Sequence, residues 1–160
     1  MSVSAQVTMK CRVTETLSDT SLASNGTDVV HDAYGLATTI KADSAVPATK
    51  VAAGIQTLTA GALTMDLTAL TGTNGAAVTA LGLKLQVWLL KNLGAAVMTF
   101  SEGASNGYAA LGASFSFKLL QNQMAQFYLA DAAPDVASGD RTIDVAGTGS
   151  QTFQNVMVLG

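Results

Sequence analysis

The one histidine of the chain, His31, stands between Asp28 and Asp32. A histidine beside carboxylates is the raw material of a nucleophilic triad, but a triad also needs a positioned serine or cysteine. Nothing around Val-Val-His-Asp-Ala-Tyr (29–34) supplies one, so His31 reads as a loop-edge residue with an acidic neighbour. The one cysteine, Cys11, cannot close an internal disulfide, and it reads as a small buried hydrophobe. One Cys and one His do not fill the three or four positions of a zinc site. Asp131, Asp135, Asp140 and Asp144 form the one carboxylate cluster, and oxygen-rich loops bind calcium. Their spacing matches no EF-hand loop, and they read as solvated loop carboxylates partly satisfied by Arg141 and turn amides. Gly147-Thr148-Gly149-Ser150 is followed by no Gly-Lys-Ser/Thr, so it is not a phosphate loop, and no dinucleotide fingerprint occurs. With acid–base groups this scarce, the expectation is a protein that is not an enzyme and needs no cofactor or metal.

Composition points the same way. Of 160 residues 49% are hydrophobic and only 12% charged, about half the charge of an average soluble domain. Disorder is excluded, because disordered chains combine low hydrophobicity with high net charge. A net charge of -3 offers no basic footprint for nucleic acid. No signal-peptide pattern is seen at the N-terminus, and no run of about 18 apolar residues would span a membrane, so a product folded in a host cytoplasm is expected. Asn25-Gly26-Thr27 fits a glycosylation sequon, but without a secretion signal it reads as a turn.

The elements that would carry any site are strands. Val3, Ala5, Val7, Met9, Cys11 and Val13 alternate with polar residues, which predicts one long half-buried strand from Val3 to Val13. Leu17 to Asp32 reads as a long loop, and Gly35 to Ala42 as a short strand. Ala45 to Ala62 reads as strand despite its alanines and Pro47, and Leu63, Met65 and Leu67 mark another. Thr71-Gly72-Thr73-Asn74-Gly75 is a hairpin turn with Asn-Gly at its centre.

In the second half, Leu81, Leu83, Leu85, Val87 and Leu89 share one face of a strand, opposite Lys84, Gln86 and Trp88. Further strands are expected at Val97–Phe100, around Phe115 and Phe117, at Ala125–Leu129, at Ile143–Val145 and at Phe153–Leu159. A helical period also fits Leu119–Tyr128, and its aromatics favour strand. Strands at roughly 8–12-residue intervals between Gly-rich turns predict one all-β domain over residues 1–160. The expected form is a β-sandwich of Greek-key or jelly-roll type with about eight strands.

Outward strand positions are dominated by Ser, Thr, Gln and Ala, which suits a surface covered by neighbouring subunits. Trp88, on the nominally polar side of its strand, is a candidate interface anchor; the competing reading buries both faces of that strand. In the C-terminal third, Gly103-Ala104-Ser105-Asn106-Gly107-Tyr108, Leu111-Gly112-Ala113-Ser114-Phe115, Ala132-Ala133-Pro134-Asp135-Val136 and the 141–149 segment Arg-Thr-Ile-Asp-Val-Ala-Gly-Thr-Gly together resemble small β-rich virion proteins of tailed bacteriophages. The resemblance implies a decoration or cement protein on the capsid exterior, with the major capsid protein as partner and no nucleic acid or membrane bound. An adhesin-type or carbohydrate-binding module is the alternative, with Trp88, Tyr34, Tyr108 and Tyr128 as its candidate aromatics.

A strand from Val3 to Val13 would be roughly 35 Å long at about 3.3 Å per residue. An uncovered edge of that length invites aggregation, and only Lys10 and Arg12 guard it. Val3, Val7 and Met9 are therefore expected to meet a neighbouring copy, in a homo-oligomer expected to be a trimer on the particle. Deleting Ser2 to Met9 should weaken assembly or capsid attachment more than it disturbs the remaining fold. Full occupancy of particles by the truncated protein, counted by quantitative gel densitometry, would contradict that expectation.

Overall fold

A computed structural model describes residues 3–10, 13–17, 27–31 and 35–160, the segments 13–17 and 27–31 through their backbone pairing. Every regular element among them is a strand, and the two four-stranded sheets are antiparallel throughout. Packing divides the chain into two compact units: Gln6–Thr39, and Met1–Ala5 together with Ile40–Gly160.

The smaller unit contains two-stranded ribbons. Strand β1 (Ser4–Lys10) pairs with β4 (Gly35–Lys41), and β2 (Val13–Leu17) pairs with β3 (Thr27–His31). The alternation of residues 3–13 thus becomes two strands rather than one, and Cys11 and Arg12 between them lie outside the described residues. The expected Leu17–Asp32 loop is also corrected, since Thr27–His31 aligns Val13 with His31 and Leu17 with Thr27. The β-branched Thr27, Val29 and Val30 carried the strand signal there, and the surrounding turn formers masked it.

The larger unit is built from β5 (Lys50–Thr57), β6 (Ala62–Asp66), β7 (Leu70–Thr71), β8 (Ala77–Val78), β9 (Leu85–Asn92), β10 (Met98–Glu102), β11 (Ser116–Leu119), β12 (Met124–Tyr128), β13 (Thr142–Ala146) and β14 (Thr152–Leu159). Eight of these make two four-stranded sheets, ordered β12-β9-β14-β5 and β11-β10-β13-β6, while β7 and β8 form the expected hairpin. Gly75 in that hairpin has φ +77°, the left-handed region that glycine enters without a side-chain clash. The 119–128 segment is not helical: Leu119 ends β11, a turn follows, and Met124–Tyr128 is strand, as its aromatics indicated.

The two sheets meet through aromatic rings. Trp88 of β9 stands edge-on to Phe100 of β10 and Phe117 of β11, with centroids 6.2 and 5.8 Å away. Phe100 in turn meets Phe153 of β14 edge-on at 5.2 Å and stacks on Phe117 at 5.4 Å. Burying one such large aromatic side chain contributes about 4 to 6 kcal/mol by area alone. Trp88 is fully buried, and its indole N–H donates to Asn155 Oδ1 at 3.0 Å, so the one polar atom of the ring is satisfied.

This placement corrects two sequence expectations. Trp88 is not a surface anchor, because its side chain is fully buried on the core face of its strand. The face Trp88 shares with Leu90 is the core face, and the Leu81–Leu89 alternation does not survive as drawn. Leu81 and Leu83 precede the strand, and a bulge interrupts the ladder: Val158 aligns with Val87, but Leu159 aligns with Leu85. The extra residue, Gln86, lets both Leu85 and Trp88 reach the core.

A second tie joins loops to the core. Tyr108 is fully buried, donates its hydroxyl to the Pro134 carbonyl at 2.7 Å and accepts from the Leu85 amide at 3.2 Å. Burial pushes the Tyr108 phenol above its ordinary range, with Asp135 adding to the shift and the Leu85 hydrogen bond opposing it. Gly103 passes so close to Thr142 that a Cβ there would collide with the threonine side chain, which lets the 103–108 turn lie against β13.

Replacing Asn155 with alanine leaves the buried Trp88 N–H without an acceptor, and a loss of about 1–3 kcal/mol is expected. Urea unfolding followed by the fluorescence of this single tryptophan measures it; a change below about 0.5 kcal/mol, the range of a neutral surface substitution, would contradict the assigned bond.

Candidate docking face

The sheet β12-β9-β14-β5 has an inner and an outer face. Phe153, Asn155 and Met157 of β14 are buried toward the core, so by alternation Gln154, Val156 and Val158 point outward. The ladder registers extend this outer face into three rows across the sheet. One row runs Tyr128, Val87, Val158, Val51. The next runs Gln126, Leu89, Val156, Ala53, and the last Met124, Lys91, Gln154, Ile55.

The outer face is therefore largely apolar, although a sheet with one solvated face normally alternates to polar residues there. Its rows differ in exposure. Val87 and Val158 are buried at 6% and 5%, whereas Met124 and Ile55, at opposite edges of the last row, are 60% and 66% exposed. Leu93, just past the end of β9, adds another exposed side chain at 38%. Lys91 is the one charge in the three rows. Along the last row Lys91 and Gln154 separate Met124 from Ile55, and exposed apolar side chains grouped on one sheet face are candidates for an interaction site.

The polar groups singled out in the sequence are dispersed by the fold. Lys84 Nζ reaches Asp131 Oδ1 at 2.9 Å, and this hydrogen bond holds the lysine above its ordinary range, with Asp131 and Asp135 also favouring its charge. Asp144 Oδ1 accepts from the Thr64 hydroxyl at 2.6 Å, and its Oδ2 from the Ala104 amide at 2.8 Å. Arg141 does not serve the 131–144 carboxylates as expected. Its Nε lies 3.3 Å from Asp66 Oδ2, which Arg141 reaches because β13 pairs with β6. Among the described residues, no three His, Cys, Asp or Glu side chains converge as a metal site. His31 lies on β3 opposite Val13.

The expected interface residues fall in different settings. Val7 is buried at 1%, Met9 is 40% exposed, and Val3 is half-buried beside Val51 and Val78 at a cavity. Of the candidate sugar-stacking aromatics, Trp88 and Tyr108 are fully buried, Tyr128 is half-buried, and Tyr34 lies outside the described residues. Sequence reasoning missed the outer sheet face. The available signal was the pair of near-continuous apolar runs Val87–Leu90 and Val156–Leu159, which carry apolar residues to both faces of adjacent strands.

The chain matches no protein-family model, no curated protein and no solved structure.

Asp66 offers a pH test of the loop anchoring. Partial burial raises its pKa, but hydrogen bonds from the Thr68 hydroxyl and amide, at 2.6 and 2.8 Å, and the charge of Arg141 outweigh it, leaving the carboxyl below the ordinary range. The folded protein then binds this proton less tightly than the unfolded chain does. The resulting stability is complete above the ordinary carboxylate range and is lost as pH falls through the lowered value. Thermal melts should show a smaller stability loss between pH 5 and pH 3 in Asp66→Asn than in the parent. Parallel curves for the two proteins would count against this anchoring.

Proposed function

We propose that the chain is a structural protein of a bacteriophage particle, a decoration or cement protein that binds the capsid exterior and holds lattice neighbours together. The observation that carries the reading is strand order. Taking β5, β6 and β9 to β14 as eight consecutive strands, one sheet runs first-eighth-third-sixth and the other second-seventh-fourth-fifth. That interleaving supports assignment of the larger unit as a jelly-roll β-sandwich, an architecture used by viral capsid domains and by lectins. Since one fold hosts many functions, the surface must favour one of them. The outer face rich in Val, Leu, Met and Ile supports a protein partner, and the likeness of the 103–149 segments to phage virion proteins supports a capsid.

The mechanism is cohesive. Each docked copy removes apolar surface from water at about 25 cal/mol per Å2, and repetition over a symmetric lattice multiplies a modest single contact. A homo-oligomer, with a trimer as the first expectation, presents several such faces together. The double variant Ile55→Lys, Met124→Lys places charge at both edges of the exposed row, where each substitution changes stability by less than about 0.5 kcal/mol. Mixed with particles lacking the protein, it should bind at least about tenfold more weakly, ~1.4 kcal/mol, and should fail to restore heat resistance. Parental occupancy and parental heat resistance would reject the outer face as the attachment surface.

A further inference from the structure

A cavity of about 390 Å3 lies between the start of β5 and the β7–β8 hairpin. That volume is within the range of roughly 300–1,000 Å3 usual for small-molecule sites. Its apolar walls are Val3, Val51 and Val78 with Ala76 and Ala77, and threonines and Asn74 add polar groups. Among the described residues, Lys50 is the one charged residue that lines the cavity, and no acidic side chain lines it.

The walls are built before any ligand arrives. The Gly72 amide donates to the Ala76 carbonyl at 2.8 Å and the Gly75 amide to the Gly72 carbonyl at 2.9 Å. The Ala76 amide donates to Asn74 Oδ1 at 3.1 Å, so the hairpin turn is closed by three hydrogen bonds. Across the cavity, the amide of Thr49 and its hydroxyl both donate to the Leu159 carbonyl, at 2.8 and 3.2 Å. The ammonium of Lys50 donates to the Thr79 carbonyl at 2.9 Å. That bond occupies one of three N–H groups and steadies the cation, leaving two donors for an acceptor. Preorganisation of this kind lowers the ordering cost that otherwise cancels a small ligand's contacts.

We infer that this cavity binds a small monocarboxylate with an apolar body, the carboxylate on Lys50 and the body against Val3, Val51 and Val78. A carboxylate adds a charge-assisted hydrogen bond to the Lys50 ammonium that a neutral ligand lacks, and the described lining residues offer no second cation for a dianion. Val51 belongs to the first row of the outer sheet face, whereas the capsid attachment proposed above is tested at Met124 and Ile55 of the last row, so the two readings can fail independently.

The test is a two-dimensional NMR titration of the full chain with 3-phenylpropanoate, against its uncharged amide, up to ~20 mM, well above the 1 mM dissociation constant that corresponds to about 4 kcal/mol. Saturable shifts at the amides of Val51, Ala77 and Val78 are expected for the acid, with the amide at least about tenfold weaker. Lys50→Met keeps the aliphatic stem and should cost the acid about tenfold while leaving the amide unchanged. Ala77→Phe, at an exposed position that tolerates the substitution, should fill the cavity and abolish both. Absence of saturable shifts, equal binding of acid and amide, or acid binding untouched by Lys50→Met each overturns the inference, provided the variant spectrum shows the parental dispersion.

Discussion

The burial of Trp88 is the constraint on which the larger unit depends. An indole in the middle of β9 must find an apolar shell across the core, and it finds Phe100, Phe115 and Phe117 there, each ring nearly perpendicular to its own. It must also find an acceptor for its N–H, and the adjacent strand β14 supplies Asn155. Edge-to-face pairs contribute about 0.5–1.5 kcal/mol each beyond the area they bury. These contacts fix the distance and the sliding register between the sheets at one point. Asn155 is a polar residue inside a greasy strand for that reason, and it is itself 98% removed from solvent, at 2% exposure.

The bulge at Gln86 follows from the same demand. Strict alternation would send Leu85 and Trp88 to opposite faces. One extra residue in β9 turns both inward, and the chain accommodates it by burying Gln86, whose Nε2 donates to the Gly160 carbonyl at 3.1 Å. Charge is kept away from this centre. The ion pairs Lys84–Asp131 and Arg141–Asp66 lie at half-exposed sites where exposed pairs contribute at most about 1 kcal/mol, so they order loops more than they stabilise the core. With Lys91 as its one charge, the outer sheet face is left largely apolar. A protein that kept such a face in solution would be exposed to self-association, and a protein that meets a partner there gains from it.

Much of this was legible in the sequence. Alternation and turn chemistry located β4, β6, β10, β13 and β14 to within a few residues, and Asn74-Gly75 placed the hairpin, because period two and the left-handed demand of a tight turn are local properties. The all-β class followed from the number and spacing of such segments. The scarcity of acid–base groups was also visible, since one histidine and one cysteine bound what any site could contain.

The tertiary structure alone decided the rest. Thr27–His31 became a strand because Val13–Leu17 offered it a ladder, and pairing partners separated by a loop leave no local signature. Arg141 chose Asp66 over its acidic neighbours because β13 lies beside β6. Trp88 lies inward, and Met124 and Ile55 share an outer row, for one physical reason: a residue's face is set by register across the sheet and by a single bulge. The sequence by itself determined that the chain would make many strands with little charge. Only the packed sheets determined which side of each strand meets the core and which remains for something else to cover.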